Sequence, residues 1–289
     1  MKMIKLAAAV AALSASAAFA APAFTVPGGQ VLDPFGGIDW AQSGTAYTTN
    51  FDQAAASRGE EVSFTTTFFA YANPGSGIVR PNGTSFNVPN LQGGEAASGA
   101  NAFELTTVAT INETGTCAGG GAACTFTITG GSFDIYLDTN VNSRVGTGAA
   151  LSQYTDGTRI IGGSITSGDS SFAATNSGAG GSGRVDLRGS VNFTNGAYIN
   201  PALSGTTAVA TLQIGSSTTN YQRPGFVGAD SCATTGAGSA PTSCTLAFQA
   251  DANQSFTFTQ TPVPAPGTLA LLGAAMAGLG FTARRRAAR

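Results

Sequence analysis

The sequence predicts an all-β protein: a single sandwich or jelly-roll-like domain of short antiparallel strands, with an N-terminal signal helix and a C-terminal transmembrane helix outside it. Three observations lead there. Runs rich in Val, Ile, Phe, Tyr and Thr recur at intervals of ~8–25 residues between turn-rich links. Apolar and polar residues alternate with period two, most clearly in Leu246-Ala247-Phe248 and Phe256-Thr257-Phe258. No amphipathic helical pattern of useful length interrupts these runs.

Taken in order, residues 1–20 read as a secretory signal peptide. Lys2 and Lys5 form a basic start, Leu6 to Phe19 is apolar and alanine-rich, and Ala18-Phe19-Ala20 is a small-x-small cleavage pattern. Cleavage after Ala20 makes Ala21 the first residue of the mature chain. Such a signal implies passage through the secretion translocon.

The body, residues 21–261, opens on a turn-rich lead-in, Pro27-Gly28-Gly29 and Asp33 to Trp40. Trp40 is the only tryptophan; core packing and a sugar-stacking platform are its two readings. Strands are then expected at Val62–Tyr71, Phe103–Ile111, Thr125–Thr129, Ser132–Asp138, Arg159–Ile165, Arg184–Phe193, Thr207–Ile214, Cys244–Ala250 and Ser255–Gln260. Gly130-Gly131 reads as a hairpin turn or a glycine bulge. Gly75 to Gly99 and Ala173 to Gly183 read as long loops. Gly is 40 of 289 residues, about double the usual ~7%, but the recurring β pattern argues against disorder. No repeat of fixed period is visible, which disfavours a solenoid.

Charge and chemistry are both sparse. Of thirteen basic residues, Lys2, Lys5, Arg284, Arg285, Arg286 and Arg289 lie in the terminal segments, leaving seven arginines against fifteen acids, a net charge near −8 for the body. That balance disfavours nucleic acid. There is no histidine, which removes Ser-His-Asp and Cys-His catalysis and His-ligated metals. With no lysine in the body, Schiff-base chemistry is gone as well. No catalytic residue, metal ligand set or cofactor is therefore assigned, and the chain is not expected to be an enzyme. A glycoside hydrolase would still need only two carboxylates across a cleft. Asp138-Thr139-Asn140-Val141-Asn142 has the alternating oxygens of a calcium loop but lacks its glycine and closing acid; a turn explains it equally well. Alternating threonines at Thr125, Thr127 and Thr129, and at Thr257 and Thr259, read as wet faces of half-buried strands.

Four cysteines, Cys117, Cys124, Cys232 and Cys244, have spacings unlike zinc sites. In an exported chain they imply disulfides. Three pairings are possible; the local one, Cys117 with Cys124 and Cys232 with Cys244, is favoured because each pair brackets a loop rich in small residues at a strand start.

The last segment, residues 262–289, is an address. Val263-Pro264-Ala265-Pro266-Gly267 is held extended by its prolines. Thr268 to Ala283 follows without charge or proline, about 24 Å long as a helix, a short membrane span. Arg284, Arg285 and Arg286 then form a basic stop that stays cytoplasmic and places everything upstream outside. Together these residues resemble the PEP-CTERM sorting signal of Gram-negative bacteria, with Ala265 where the family usually has Glu. The resemblance implies recognition and cleavage by a membrane exosortase, transient anchoring by the C-terminal helix, and release to the cell surface or outside. Some classifications label this tail an ice-binding protein C-terminus, a label that concerns the tail alone. Asp33 to Trp40 and Thr65-Thr66-Thr67-Phe68-Phe69 are similar to flocculation-associated members. The family's setting implies a structural or adhesive matrix role in exopolysaccharide, floc or biofilm. The alternative is a carbohydrate-binding module using exposed Tyr47, Tyr71, Tyr154 or Tyr221; a row of exposed aromatics would favour it and their burial the structural role.

Overall fold

Side chains alternate between the two faces of a strand, so apolar residues at every second position commit one face to a core. The computed structural model describes residues 21–94, 99–118, 123–174, 181–215, 223–228, 231–232 and 240–257. The chain divides into two units, Ala21–Thr259 and a second made of Met1–Ala20 and Gln260–Arg289. The expected signal helix and C-terminal transmembrane helix fall on residues of the second unit, outside the described residues. Among the described residues no helix is long and apolar enough to cross a membrane.

In chain order the elements are β1 (Ala23–Thr25), β2 (Val31–Leu32), β3 (Gly37–Asp39), β4 (Gly44–Phe51), α1 (Gln53–Arg58), β5 (Val62–Tyr71), β6 (Ile78–Val79), β7 (Leu91–Gln92), β8 (Phe103–Ala118), β9 (Ala123–Asp138), β10 (Thr158–Ala174), β11 (Gly181–Thr194), β12 (Ile199–Asn200), β13 (Thr207–Gly215) and β14 (Cys244–Thr257). The body is all-β and antiparallel apart from the short β7–β8 pair.

The sandwich or jelly-roll expectation needs correction. β4, β5, β8, β9, β10, β11, β13 and β14 pair with one another in that order, all antiparallel. β14 then pairs with β13 on one side, from Thr207↔Thr257 to Gly215↔Gln249, and with β4 on the other, from Ala250↔Gly44 to Cys244↔Phe51. The sheet closes on itself as an eight-stranded up-and-down barrel. A jelly roll requires Greek-key crossings, whereas here the long strands neighbour one another in chain order, which short connections favour. Closure also removes the edges that an open sheet of this width would expose.

Several strands are longer than the sequence suggested, because they continue through glycines. Thr125–Thr129 and Ser132–Asp138 are one strand, and Gly130-Gly131 is a bulge within it. Cys124, Phe126 and Ile128 face inward on even numbers, while Phe133, Ile135 and Leu137 do so on odd numbers. The extra residue, Thr129, resets the phase. A Cβ on Gly131 would lie 2.1 Å from the Thr110 carbonyl oxygen, so only glycine permits this pairing. Cys244–Ala250 and Ser255 onward likewise belong to the single β14. The expected loop at Gly75–Gly99 carries β6 and β7, and the one at Ala173–Gly183 starts inside β10 and ends inside β11.

The interior has two apolar clusters. The larger includes Trp40, Phe68, Ile111, Phe133, Ile135 and Leu187. The smaller, at the opposite end of the strands, comprises Ala55, Ala56, Val62, Cys117, Cys124 and Phe126, with Phe51, Phe64 and Phe172 against it. A small sheet in the order β12-β1-β2 adds Phe24 to the larger cluster, with Phe24, Phe35 and Phe256 in ring contact in series.

Candidate functional site

The barrel interior is the first place to seek a ligand, and side chains fill it. Trp40, 1% exposed, donates its backbone N–H to the Ala252 carbonyl and projects among Phe68, Phe133 and Leu187. The cavity remaining there is about 30 Å³, lined mainly by apolar side chains. That is room for about two waters, far below the several hundred Å³ of a small-molecule site. Eight strands give a barrel whose interior side chains can just fill it. The core reading of Trp40 therefore stands over the sugar platform.

Three of the four tyrosines that could have stacked on sugars are engaged by neighbouring residues. Tyr154 is 2% exposed, donates its hydroxyl to the Arg144 carbonyl at 2.7 Å and meets Phe69 edge-on. Burial pushes its phenol well above the usual range. Tyr47 lies edge-on to Phe69 and Phe226. Tyr71 accepts a hydrogen bond from Ser43 at 2.9 Å and is only partly exposed. Tyr221 lies outside the described residues.

The segment between β9 and β10 covers this aromatic group. It is tied down by Glu104, a fully buried carboxylate on the outer face of β8. Glu104 Oε1 accepts the backbone N–H groups of Asn142 and Ser143, each at 3.0 Å, and Oε2 accepts the Ser143 hydroxyl. Burial pushes its carboxyl up, and these three donors pull it back. The candidate calcium loop lies in the same segment. Asn140 donates its backbone N–H to Asp138 Oδ1 at 2.8 Å, as an Asx turn does, and Asn142 Nδ2 donates to Asp156 Oδ2 at 2.8 Å. Burial and then the neighbouring Asp156 raise the Asp138 carboxyl. Among the described residues no group of three or more His, Cys, Asp or Glu side chains could hold a metal ion.

A second acid is buried inside the barrel. Glu113, 5% exposed, accepts hydroxyl hydrogen bonds from Thr66 at 2.6 Å and Ser170 at 2.5 Å. The sequence does carry a signal for it: Glu113 continues the inward phase of Leu105, Thr107, Ala109 and Ile111, where an acid is out of place. Sequence reasoning missed both glutamates because it sought acids in pairs rather than against the phase of a strand.

The outer wall over β5, β8 and β9 carries Thr, Ser and Asn. Ser63 donates to Thr114 at 3.1 Å and Thr65 to Asn112 at 3.2 Å, across the β5–β8 pairing. Thr125, Thr127 and Thr129 continue this exposed surface, as expected of wet strand faces. The disulfides follow the local pairing: Cys117 with Cys124 and Cys232 with Cys244. The first joins the ends of β8 and β9 beside the smaller cluster; the second fixes the start of β14.

The C-terminus carries an address. Residues 262–286 match the PEP-CTERM protein-sorting motif. The match spans Val263 to Gly267 and Arg284 to Arg286, which lie outside the described residues, as do Ala18 and Ala20; Ala21 begins the described body. The PEP-CTERM motif marks an exported, cell-surface protein with a C-terminal sorting signal and implies processing by exosortase, a membrane enzyme. No curated protein matches the chain, and no solved structure matches it.

Proposed function

We propose that this PEP-CTERM-bearing barrel is a structural or adhesive component of the extracellular matrix, built into exopolysaccharide, floc or biofilm without catalysing a reaction. Export is by the translocon, followed by transient anchoring through Thr268–Ala283 and cleavage near Val263–Gly267. The observation that carries this reading is the filled interior: a cavity near 30 Å³, with Trp40 and Tyr154 buried in packing. An exported body with a filled interior and a hydroxyl-bearing wall suits a building role better than turnover of a small molecule. The burial of Tyr154 and the contacts of Tyr47 and Tyr71 favour this reading over the carbohydrate-module alternative.

Deletion of the gene, with complementation, tests the role. The expected result is reduced floc or biofilm cohesion, restored by the wild-type chain and not by one lacking residues 262–289. Unchanged cohesion, with the mature protein abundant at the surface, overturns it. Mass spectrometry of the surface form tests the tail separately: a C-terminus near the motif is expected, and intact Arg284–Arg286 refutes processing.

A further inference from the structure

The two apolar clusters of the barrel are separated by a polar layer with Glu113 at its centre. Four strands contribute: Ser170 from β10, Glu113 from β8, Thr66 from β5 and Thr48 from β4. The Thr48 and Thr66 hydroxyls are 3.2 Å apart, so the contacts form one chain across the interior. All four residues are buried. The ladder partners of Glu113, Phe64 on β5 and Ile128 on β9, carry no charge, and neither do Thr48, Thr66 and Ser170. Among the described residues no cation meets this carboxyl, and its ionisation is set by burial and the two hydroxyls.

The strands are also irregular near this level. The β8–β9 register shifts between Asn112 and Glu113, and the β10–β11 register shifts between Ile165 and Ser167. A bulge interrupts the ladder and leaves fewer backbone bonds to resist opening. An enclosed carboxylate without a cation is costly when ionised, whereas the neutral acid can itself donate to one of the hydroxyls.

We propose that Glu113 is a pH-sensitive latch between the two halves of the barrel. As the neutral acid it completes the Ser170–Glu113–Thr66–Thr48 chain and couples the end bearing Phe64, Phe126 and the Cys117–Cys124 disulfide to the main core. Ionisation loosens that end while the core around Trp40 stays closed.

The sign follows from proton linkage. Burial holds the Glu113 carboxyl above the ordinary glutamate range, so the folded protein binds the proton more tightly than the unfolded chain does. Stability is full below the ordinary glutamate value and falls as pH rises towards the folded value. Within that window the folding equilibrium constant of the full-length wild type, relative to Glu113→Gln, falls up to tenfold per pH unit.

The test combines urea unfolding of the full chain in detergent between pH 4 and pH 9 with hydrogen exchange corrected for intrinsic rates. Wild type should lose stability relative to Glu113→Gln as pH rises, and amides of 62–66 and 124–128 should open faster while those of 133–137 do not. Parallel pH profiles for the two proteins, or equal opening of both regions, overturn the latch. Carboxyl carbon NMR of the wild type decides the matter should Glu113→Gln fail to fold. Glu113 should then titrate above the ordinary range together with the buried Glu104, and of the two it alone should move still higher in Ser170→Ala, which removes a donor favouring the ionised form; no glutamate moving in Ser170→Ala refutes the latch. Glutamates all titrating in the ordinary range refute the proposal.

Discussion

The two ends of the barrel interior solve the same problem by different means. At the end of Trp40, Phe133 and Ile135 the core is large, joins the main sheet to β1, β2 and β12, and contains no disulfide. At the other end a few apolar side chains gather around Val62 and Phe126, and Cys117–Cys124 lies among them. Its phenylalanines meet edge-on, Phe51 with Phe64 at 5.3 Å and Phe64 with Phe126 at 4.9 Å. Hydrophobic stabilisation scales with the apolar area buried, so a small cluster holds its surroundings less firmly than a large one. A covalent bond that restricts the unfolded chain compensates without adding area.

If that comparison is right, the largest single effect belongs to the large core. Trp40→Ala should destabilise by about 3–5 kcal/mol, read from the denaturation midpoint. A loss below about 1 kcal/mol would mean that Trp40 is not a packing centre. Next in size, Cys117→Ser with Cys124→Ser should cost about 2.5 kcal/mol for a loop this short. The loss should appear first at Val62, Phe64 and Phe126 in hydrogen exchange and leave Ile135 protected. Uniform loss of protection would show the two ends to be one cooperative unit.

The same contrast explains what could be read in the sequence. β5 was legible to the residue, Val62–Tyr71, because Thr and Phe mark a half-buried strand without interruption. β4 was missed: Gly44-Thr-Ala-Tyr-Thr-Thr-Asn-Phe51 buries Thr45, Ala46 and Thr48, small or polar side chains that give little hydrophobic signal. β9 and β14 were divided in two where a bulge or a polar stretch broke the run. Closure was beyond local reading, since it depends on the first and last strands of the barrel, β4 and β14, meeting from opposite ends of the body. The candidate site divides likewise. The tail motif was legible because a sorting enzyme reads a short linear stretch, and the disulfides because they are local. Glu104 and Glu113 were not, since each acquires its role from residues about 40 to 57 positions away.

The smallest effect is expected at Asp138, at the end of β9 beside the larger core. Asp138→Asn keeps the acceptor for the Asn140 N–H and removes the charge facing Asp156. The folded-state carboxyl is raised, first by burial and then by Asp156, so wild type loses stability as pH rises above the ordinary aspartate range. The variant should lack that loss. At acid pH the two proteins should be equally stable; at neutral pH Asp138→Asn should be the more stable, by less than about 1 kcal/mol because solvent screens so exposed a pair. The measurement is the difference in denaturation midpoint at pH 4 and pH 7, repeated with added calcium. If Asp138→Asn is instead the less stable at neutral pH, and calcium raises the wild-type midpoint alone, the Asp138–Asn142 stretch is a cation loop after all. The turn geometry of Asn140 would then be a consequence of binding rather than a substitute for it.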